Sequence, residues 1–468
     1  MAARPAPSKP PPASELFRIA IVCDFFYPRL GGVESHIFCL AQCLVRLGHK
    51  VVIVTHAVSA SDYGSSSSSS AGVIGSGKRT SVRYLPGPIK VYYCPFLPMS
   101  RSIGACLPTF VVSFPLVRHI LTRERIDIVH AHQATSPLGN ESLVYASTLG
   151  LATVYTDHSL FGFNDVASVV LNQVLSATLS TVDACIAVSH TLRENLILRA
   201  KLDPQNVFAI PNAVDATKFQ PPINNTSNSS SSSRRIQIVV LSRLVYRKGI
   251  DLLVPLLPAI CQSFPHVDFI IGGDGPKRLA LEEIVERHQL QDRVEFLGAV
   301  PNSQVRSVLC RGHLFLNCSL TESFCIAILE AASCGLFVVA TDVGGVHEVL
   351  PSHMRMLVEP NSKALVEAVS IALREKVGRV DAMDFHRRIQ TMYSWDRVAR
   401  QTERVYRRAL VQERYTLRQR LELYSSIGQI SGVVACLVAL TVHFLSILLE
   451  WWQPQSTIDI APDLMIQY

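Results

Sequence analysis

The chain has 468 residues, of which 48% are hydrophobic and 17% are charged, so we expect two buried cores and an appendage rather than a single small domain. Its 44 basic and 37 acidic residues give a net charge of +7, which suits a membrane surface or a diphosphate ligand as well as a nucleic acid. The basic residues are not interleaved with aromatic ones, and we therefore do not expect nucleic acid as a partner.

Cysteine usage points to a reducing compartment. The twelve cysteines occur without a CxxC pair, and most lie in apolar stretches, as Cys23, Cys185 and Cys436 do. We predict reduced core residues in the cytosol. Residues 1–16 are rich in Pro and Ala and lack the apolar run of a secretory signal, so we expect a disordered leader.

An uncharged run occupies residues 427–449, and as a helix it would be about 34 Å long. This length predicts a transmembrane helix, with a buried core helix as the alternative. Five arginines precede the run, whereas all the charged residues after it are acidic. This asymmetry predicts cytosolic catalytic domains and a lumenal tail at residues 450–468. The charged residues on the two sides of the run are Arg407, Arg408, Arg414, Arg418 and Arg420 before it and Glu450, Asp459 and Asp463 after it. Trp451 and Trp452 are expected at the far interface of the membrane.

The region from residue 17 to residue 219 alternates short β-rich apolar runs with helical patterns, which is typical of a doubly wound α/β domain. Predicted strands include the run RIAIVCDFF, Val51 to Thr55 and Ile126 to His130. Between the first two predicted strands, apolar residues recur at helical spacing, which predicts a helix. These residues are Val33, Ile37, Leu40, Leu44 and Leu47.

A second α/β series covers residues 236–381. Its predicted strands begin with IQIVVLSRL at Ile236 and continue at Phe269–Gly272, Val294–Gly298, Leu314–Asn317 and Phe337–Ala340. A Ser/Asn-rich linker at 220–235 separates the two domains, residues 65–70 form another flexible insertion, and a helical region at 382–426 leads to the membrane. Two such domains in tandem predict a ligand cleft between their strand C-termini.

Two loops have the composition of phosphate sites. Gly31 and Gly32 in YPRLGG would let backbone N–H groups approach a phosphate, although a simple tight turn explains them equally well. Arg243 and Lys248 follow a predicted strand and could clamp a diphosphate, with ordinary surface cations as the alternative. The chain contains no DxD sequence, so these cations would have to neutralise the leaving group in place of a metal ion.

Two acidic residues stand eight positions apart in TESFCIAILE. Glu330 falls within an apolar helical run, and because a buried acid is costly we expect it to face a ligand site. Glu322 follows a predicted strand, and sugar hydroxyl groups are suitable donors to either carboxylate. A glycosidase acid pair is the alternative interpretation.

Histidines mark the ends of two other predicted strands. His130 and His132 lie on one face of the strand IDIVHAH, where they could contact a ligand, bind zinc or serve as structural histidines. Asp157 and His158 end the next apolar run, and such a pair can tune a proton acceptor, although chance explains a lone dipeptide.

Together these segments resemble the GT-B, family-4 retaining glycosyltransferases from about Arg18 to Val405, with Glu322 and Glu330 matching the E-x7-E signature. Within them, the motifs TDHSLFGF, AVSHT, IPNAVD, VVLSRLVYRKGIDLL, GGDGPKR and LTESFCIAILEAASCGL are most similar to the PIG-A type of catalytic subunit. One departure is His347 in TDVGGVHEV, where related chains often have Pro.

The resemblance implies transfer of N-acetylglucosamine from UDP-GlcNAc to phosphatidylinositol at the endoplasmic reticulum membrane, without a cofactor or divalent metal. It assigns residues 17–219 to the acceptor and 236–381 to the nucleotide sugar, and it implies accessory membrane subunits. The donor contacts it implies are Gly31, Gly32, Arg243, Lys248, Asp274, Gly275, Glu322, Ser323, Phe324 and Glu330. Ser323 and Phe324 would act through backbone N–H groups at a helix start, His132 would contact the sugar, and His130, Asp157 and His158 are further candidate contacts of sugar or acceptor.

Three other functions fit parts of the sequence. A phosphatidylinositol mannosyltransferase would share the two acids, the two cations and the HxH sequence. A non-catalytic membrane scaffold would be indicated by loss of Glu322, Glu330 or Lys248, and all three are present. A nucleotide-dependent oxidoreductase is disfavoured because the chain lacks GxGxxG after its first strand.

Five N-x-S/T sequons begin at Asn140, Asn224, Asn225, Asn228 and Asn317. Because we predict that the catalytic domains lie in the cytosol, we expect none of them to be glycosylated.

Overall fold

A computed structural model describes residues 16–29, 31–58, 79–99, 105–162, 166–222 and 235–462. The chain divides into unit 1, residues 1–210 and 396–468, and unit 2, residues 211–395. The predicted boundary at 220–235 differs from this division, because residues 211–222 belong to unit 2. There the Ser333 hydroxyl donates to the Phe219 carbonyl over 2.6 Å. Residues 1–15 of the predicted leader, the 65–70 insertion and most of the linker lie outside the described residues.

Unit 1 contains an eight-stranded sheet. In chain order its strands are β1 Arg18–Val22, β2 Lys50–His56, β3 Ser81–Leu85, β4 Ile89–Cys94, β5 Ile128–His132, β6 Ala152–Asp157, β7 Ala184–Ala187 and β8 Val207–Ala209. The spatial order is β3-β4-β2-β1-β5-β6-β7-β8, and all neighbours are parallel except β3 and β4. Every residue of β5 is buried, as expected for a central parallel strand covered on both faces.

Helices on the faces of this sheet are α1 Gly32–Arg46, α2 Phe114–Arg123, α3 Pro137–Thr148, α4 Val166–Leu179 and α5 His190–Ala200. The predicted helical pattern is confirmed in α1, where Ile37, Leu40 and Leu44 are buried. Serines cap α3 and α5, since Ser136 and Ser189 accept hydrogen bonds from backbone N–H groups of the first turns.

Unit 2 is built in the same way around a six-stranded sheet. Its strands are β9 Ile236–Leu241, β10 Val267–Gly272, β11 Val294–Gly298, β12 Leu314–Asn317, β13 Phe337–Thr341 and β14 Arg355–Val358, in the spatial order β11-β10-β9-β12-β13-β14 with all neighbours parallel. Its helices are α6 Ile250–Ser263, α7 Arg278–Arg287, α8 Val305–Leu309, α9 Ile326–Ser333, α10 Ser362–Glu375 and α11 Ala382–Met392. The sequence therefore predicted each of the first five strands of this sheet.

The topology of each sheet fixes a position for ligands. The chain winds outward from a central strand in one direction and then crosses to continue in the other, so β1 and β5 are neighbours in unit 1, and β9 and β12 in unit 2. In open α/β sheets, ligands bind beyond the carboxyl ends of the strands at such a switch point. The loops after β9 and β12 carry Arg243, Lys248 and Glu322.

After unit 2 the chain returns to unit 1 through α12 Trp395–Leu410, α13 Leu417–Ser425 and α14 Gln429–Trp452. On α12, the Tyr406 hydroxyl contacts His130 Nδ1 at 2.7 Å. The most apolar 18 residues of the 24-residue α14 have a mean hydropathy of 2.5, and only 17% of this stretch is buried, so the helix is long and apolar enough to cross a membrane. The segment after it contacts α2, through Gln453 with Arg118 and through Ala461 with Arg123.

Candidate active site

An ion pair joins the two switch-point loops of unit 2. Lys248 ends the short helical turn after β9, and its ammonium group donates to the carboxylate of Glu322 in the loop after β12. The Ser319 hydroxyl donates to the same carboxylate over 2.8 Å. Burial opposes the charged ammonium, but the neighbouring Glu322 outweighs it and raises the pKa of Lys248. The structure thus brings together the predicted cation and acid at the ligand position of this sheet.

The loop after β10 packs against the loop that carries Arg243. The Leu244 N–H donates to the Asp274 carbonyl over 2.9 Å, and the Lys277 N–H donates to the Leu244 carbonyl over 3.0 Å. Gly275 has φ of +153°, and a Cβ there would lie 2.5 Å from the Leu244 carbonyl oxygen, so only glycine fits. Arg243 is exposed, and the exposed Asp274 carboxylate accepts a hydrogen bond from the Gly275 N–H over 2.7 Å.

The helix that follows Glu322 begins later than predicted. α9 starts at Ile326 and its N-cap is Cys325, so Ser323 and Phe324 precede the helix instead of forming its first turn. Cys325 has φ of +72°, a conformation that costs a residue with a side chain on the order of 1–3 kcal/mol. The Asn317 amide, at the end of β12, donates to the Cys325 sulfur over 3.3 Å and helps to hold this turn.

Glu330 lies on α9 in apolar surroundings. Burial raises the pKa of its carboxyl group to about 7, against a partial opposite effect of the Lys218 charge. Lys218 itself donates to the carbonyl and the side chain of Asn302, at 3.0 Å each. A desolvated acid poised near neutrality is typical of a functional position.

In unit 1, His130 is a structural histidine. Its Nδ1 contacts the Tyr406 hydroxyl and its Nε2 the Thr156 hydroxyl, both at 2.7 Å, so both ring nitrogens are used within the core. Burial lowers the pKa of His130 to about 3 and keeps the ring neutral. Strand position alone did not distinguish His130 from His132, and the hydrogen bonds of His130 now do.

His132 has a different environment. Its Nδ1 lies 3.1 Å from His158 Nε2, while its own Nε2 is buried without a hydrogen-bond partner among the described residues. Burial lowers the pKa of both rings well below the ordinary value. A neutral imidazole with an unsatisfied buried nitrogen is suited to a ligand hydroxyl group.

A third histidine joins this pair. His36, on α1, offers a nitrogen that lies with those of His132 and His158 within 4.8 Å of one another. Imidazole nitrogens are zinc ligands, and among the described residues these three have the spacing of a candidate metal site. Zinc held by His130 and His132, the alternative raised by the sequence, is excluded because both nitrogens of His130 are engaged in the core. The sequence signal for His36 was its place four residues after the two glycines.

The Asp157 carboxylate is engaged in core contacts, not in a contact that would let it accept a proton from a ligand. Its carboxylate pairs with Arg199 in full burial and accepts hydrogen bonds from the Tyr155 hydroxyl and the His158 N–H. Burial raises the pKa of Asp157 although the Arg199 charge opposes this. Its contribution to the site is to fix the backbone that positions His158.

The glycine loop of unit 1 lies against the carboxyl group of Glu34. Gly31 is the N-cap of α1, and a Cβ there would lie 2.4 Å from Glu34 Oε2. A carboxylate near a helix N-terminus is stabilised by the helix dipole, which would also attract a phosphate. Glu34, which the sequence interpretation missed, therefore shares the space in which Gly31 and Gly32 would approach a donor phosphate.

Two family models match the chain. The PIGA model, described as GPI anchor biosynthesis, matches residues 75–165, and the model for glycosyl transferases group 1 matches residues 224–388. The first match covers the part of unit 1 from β3 to β6, and the second covers most of unit 2.

Curated relatives match over nearly the whole chain. A phosphatidylinositol N-acetylglucosaminyltransferase subunit from Arabidopsis thaliana is 48% identical, over 96% of this chain and 95% of that protein. The protein of the same name from Homo sapiens is 47% identical, over 95% of this chain and 87% of its own length. Among solved structures, sucrose-phosphate synthase from Thermosynechococcus elongatus has a TM-score of 0.64 at 19% identity, covering 84% of this chain and 98% of that one. The predicted GT-B fold class is confirmed.

Proposed function

The chain belongs to the PIGA family of phosphatidylinositol N-acetylglucosaminyltransferase subunits, and from this premise we propose that it transfers N-acetylglucosamine from UDP-GlcNAc to phosphatidylinositol, the first step of GPI-anchor biosynthesis. The observation that carries the proposal is the 48% identity over 96% of the chain. The paired Lys248 and Glu322 at the switch point of unit 2 support a working catalytic site and argue against a scaffold that has lost it.

Unit 2 would hold the donor. Lys248 and Arg243 neutralise the charge that develops on the diphosphate leaving group, which is the main catalytic requirement of a front-face displacement with retention. Glu330 accepts hydrogen bonds from the ribose hydroxyls, and Glu322 accepts them from the transferred sugar. Asp274 and Gly275 line the uridine side. Since the chain has no DxD sequence, the proposal assigns leaving-group neutralisation to these side chains rather than to a divalent metal.

Unit 1 would hold the acceptor and contact the transferred sugar. The unsatisfied Nε2 of His132 is the atom that supports this assignment, since it points to a hydroxyl group as its missing partner. His158 orients His132 through their hydrogen bond, and Asp157 positions His158. His130 acts as a structural neighbour of this group.

We place the protein in the endoplasmic reticulum membrane as a single-pass protein with both α/β domains on the cytosolic side. The length and hydropathy of α14 support the membrane location, and the arginines before it support the orientation. The relatives are named as subunits, which supports partner proteins, and we propose that these are accessory membrane subunits.

An assay with membranes that contain this chain tests the function. Labelled UDP-GlcNAc and phosphatidylinositol should give a labelled lipid that a phosphatidylinositol-specific phospholipase cleaves, whereas GDP-mannose should give none. Product from GDP-mannose alone would identify a mannosyltransferase. Absence of product from either donor, with the partner subunits present, would favour a scaffold.

A further inference from the structure

Unit 1 carries an apolar segment that the proposed chemistry does not use. Residues 95–99 and 105–117, called here the apolar segment, contain no charged residue. Several of its large side chains face solvent although they are apolar, with Leu97 at 73% and Val112 at 80% exposure. The others are Met99, Leu107, Phe110 and Leu116. A soluble surface rarely concentrates so many in one stretch.

The inward side of the same segment belongs to a core cluster that α14 also joins. Cys106, Phe114 and Val117 share one hydrophobic cluster with Val442 of α14, which is fully buried. Around this cluster lie Phe96 and Val111 from the segment and Val438, Leu445 and Leu449 from α14. The exposed side chains of the segment therefore flank a helix whose own outer face is apolar and exposed.

The opposite flank of α14 has the same character. α4 contacts the start of α14, where the Ser431 hydroxyl donates to Gln173 Oε1 over 3.0 Å. Next to Gln173, the side chains of Val169, Val170 and Val174 are 44%, 58% and 45% exposed. Apolar side chains of unit 1 thus continue the surface of α14 in two directions.

We propose that the apolar segment, the outward valines of α4 and the exposed face of α14 form one surface that lies in the acyl-chain region of the lipid bilayer. This inference deepens the proposed function, since it places the acceptor unit at the depth of the lipid it would glycosylate. The occupant is lipid because the surface continues a helix apolar enough to span a membrane and is dominated by aliphatic side chains. Unit 1 is then partly immersed, in addition to being tethered by α14.

Lipid photolabelling tests the location. The full-length chain in microsomal membranes would be exposed to phosphatidylcholine with a diazirine in its acyl chain, and the labelled peptides would be mapped. We expect adducts on residues 97–99, 105–116 and 169–174 at a level similar to α14, and about fivefold or more above the peptides with Leu198 and Leu279, which are 68% and 63% exposed. Labelling of the apolar segment no higher than these controls would overturn the proposal, as would crosslinks of the segment to a partner protein in place of lipid.

Charged substitutions test whether immersion of this surface is needed for transfer to an acceptor in the bilayer. Leu97→Lys and Val112→Lys place a cation on the proposed bilayer surface, and Leu279→Lys is the matched control. We expect each of the first two to lower transfer to long-chain phosphatidylinositol in vesicles by about fivefold or more, with less than about twofold change for water-soluble dihexanoyl phosphatidylinositol. An equal loss on both acceptors would indicate damage to the fold or site and overturn the membrane role. If the native chain glycosylated neither acceptor, the proposed function itself would have failed.

Discussion

At the scale of one residue, two opposite effects act on the protonation of the Glu330 carboxyl group. Its apolar surroundings favour the protonated carboxyl, with a pKa of about 7 against an ordinary value of 4.5, whereas ribose hydroxyls would favour the carboxylate. The native state binds this proton more tightly than the unfolded state does. The contribution of this proton to the free energy of unfolding is therefore complete below about pH 4.5 and is lost as the pH rises through about 7.

Donor binding should therefore depend on pH. If the donor binds the ionised Glu330, its affinity should rise by about tenfold between pH 6 and pH 8 and binding should release a proton. Titration calorimetry with UDP-GlcNAc in buffers of different ionisation enthalpy measures both effects. Glu330→Gln should bind more weakly and with no such pH dependence. Equal affinity of the native protein at the two pH values would contradict a ribose contact at Glu330.

Lys248 and Glu322 support each other before any substrate is bound. Lys248→Ala should lower turnover by at least about tenfold, because it removes a charge-assisted contact to the leaving group that contributes roughly 1.5 to 3 kcal/mol. Glu322→Ala should have a larger effect, since it also leaves the Lys248 ammonium unpaired. Steady-state assays at matched expression measure this. Arg311→Ala, which breaks an exposed pair with Glu295, serves as the control and should change little.

The two histidines of β5 should give opposite results. His130→Ala removes hydrogen bonds to Tyr406 and Thr156, so the melting temperature should fall, with a loss of stability of about 2 kcal/mol or more. His132→Ala should lower transfer by at least about tenfold while the melting temperature changes less. Thermal unfolding and the transfer assay, run on both variants, separate the roles. A reversed pattern would make His130 the ligand-facing residue.

At the scale of elements, the predicted strands followed from continuous apolar runs, because parallel strands are buried on both faces. The first helix followed from the helical spacing of its apolar residues. The start of α9 did not follow, since the left-handed Cys325 delays the helix by a turn that no propensity indicates. The grouping of His36 with His132 and His158 also requires the pairing of β1, β5 and β6, which local sequence does not encode. The residues of β5 alone could not show that both ring nitrogens of His130 are engaged in the core while Nε2 of His132 has no partner among the described residues.

The helix α14 covers part of a core in addition to its proposed role as the membrane anchor. Deleting residues from Ile427 onward should release most of the protein from membranes and sharply lower transfer to lipid. It should also lower the stability of unit 1, because the cluster around Val442 loses its cover. Carbonate extraction and thermal unfolding of the truncated chain measure these effects. Full, salt-resistant retention would require another strong membrane-inserting segment.

At the scale of the whole molecule, the orientation in the membrane decides where the donor must be supplied. The sequons at Asn140 and Asn317 cannot report it from the folded protein. Both asparagines are buried, Asn140 donates to the Ala134 carbonyl over 3.0 Å, and Asn317 to the Cys325 sulfur. The sequons at Asn224, Asn225 and Asn228 lie outside the described residues.

We expect none of the three linker sequons to be glycosylated, because the arginines before α14 favour a cytosolic location for both α/β domains. A sequon added after residue 468 should be glycosylated if the tail is lumenal, and the contacts of Gln453 and Ala461 with α2 would then have to open. Gel mobility before and after endoglycosidase treatment measures each site. An unmodified tail sequon would preserve those contacts and make α14 an in-plane helix. A mobility shift of the native chain, abolished by changing Asn224, Asn225 and Asn228 to Gln, would place the linker in the lumen, on the side away from the proposed cytosolic donor supply.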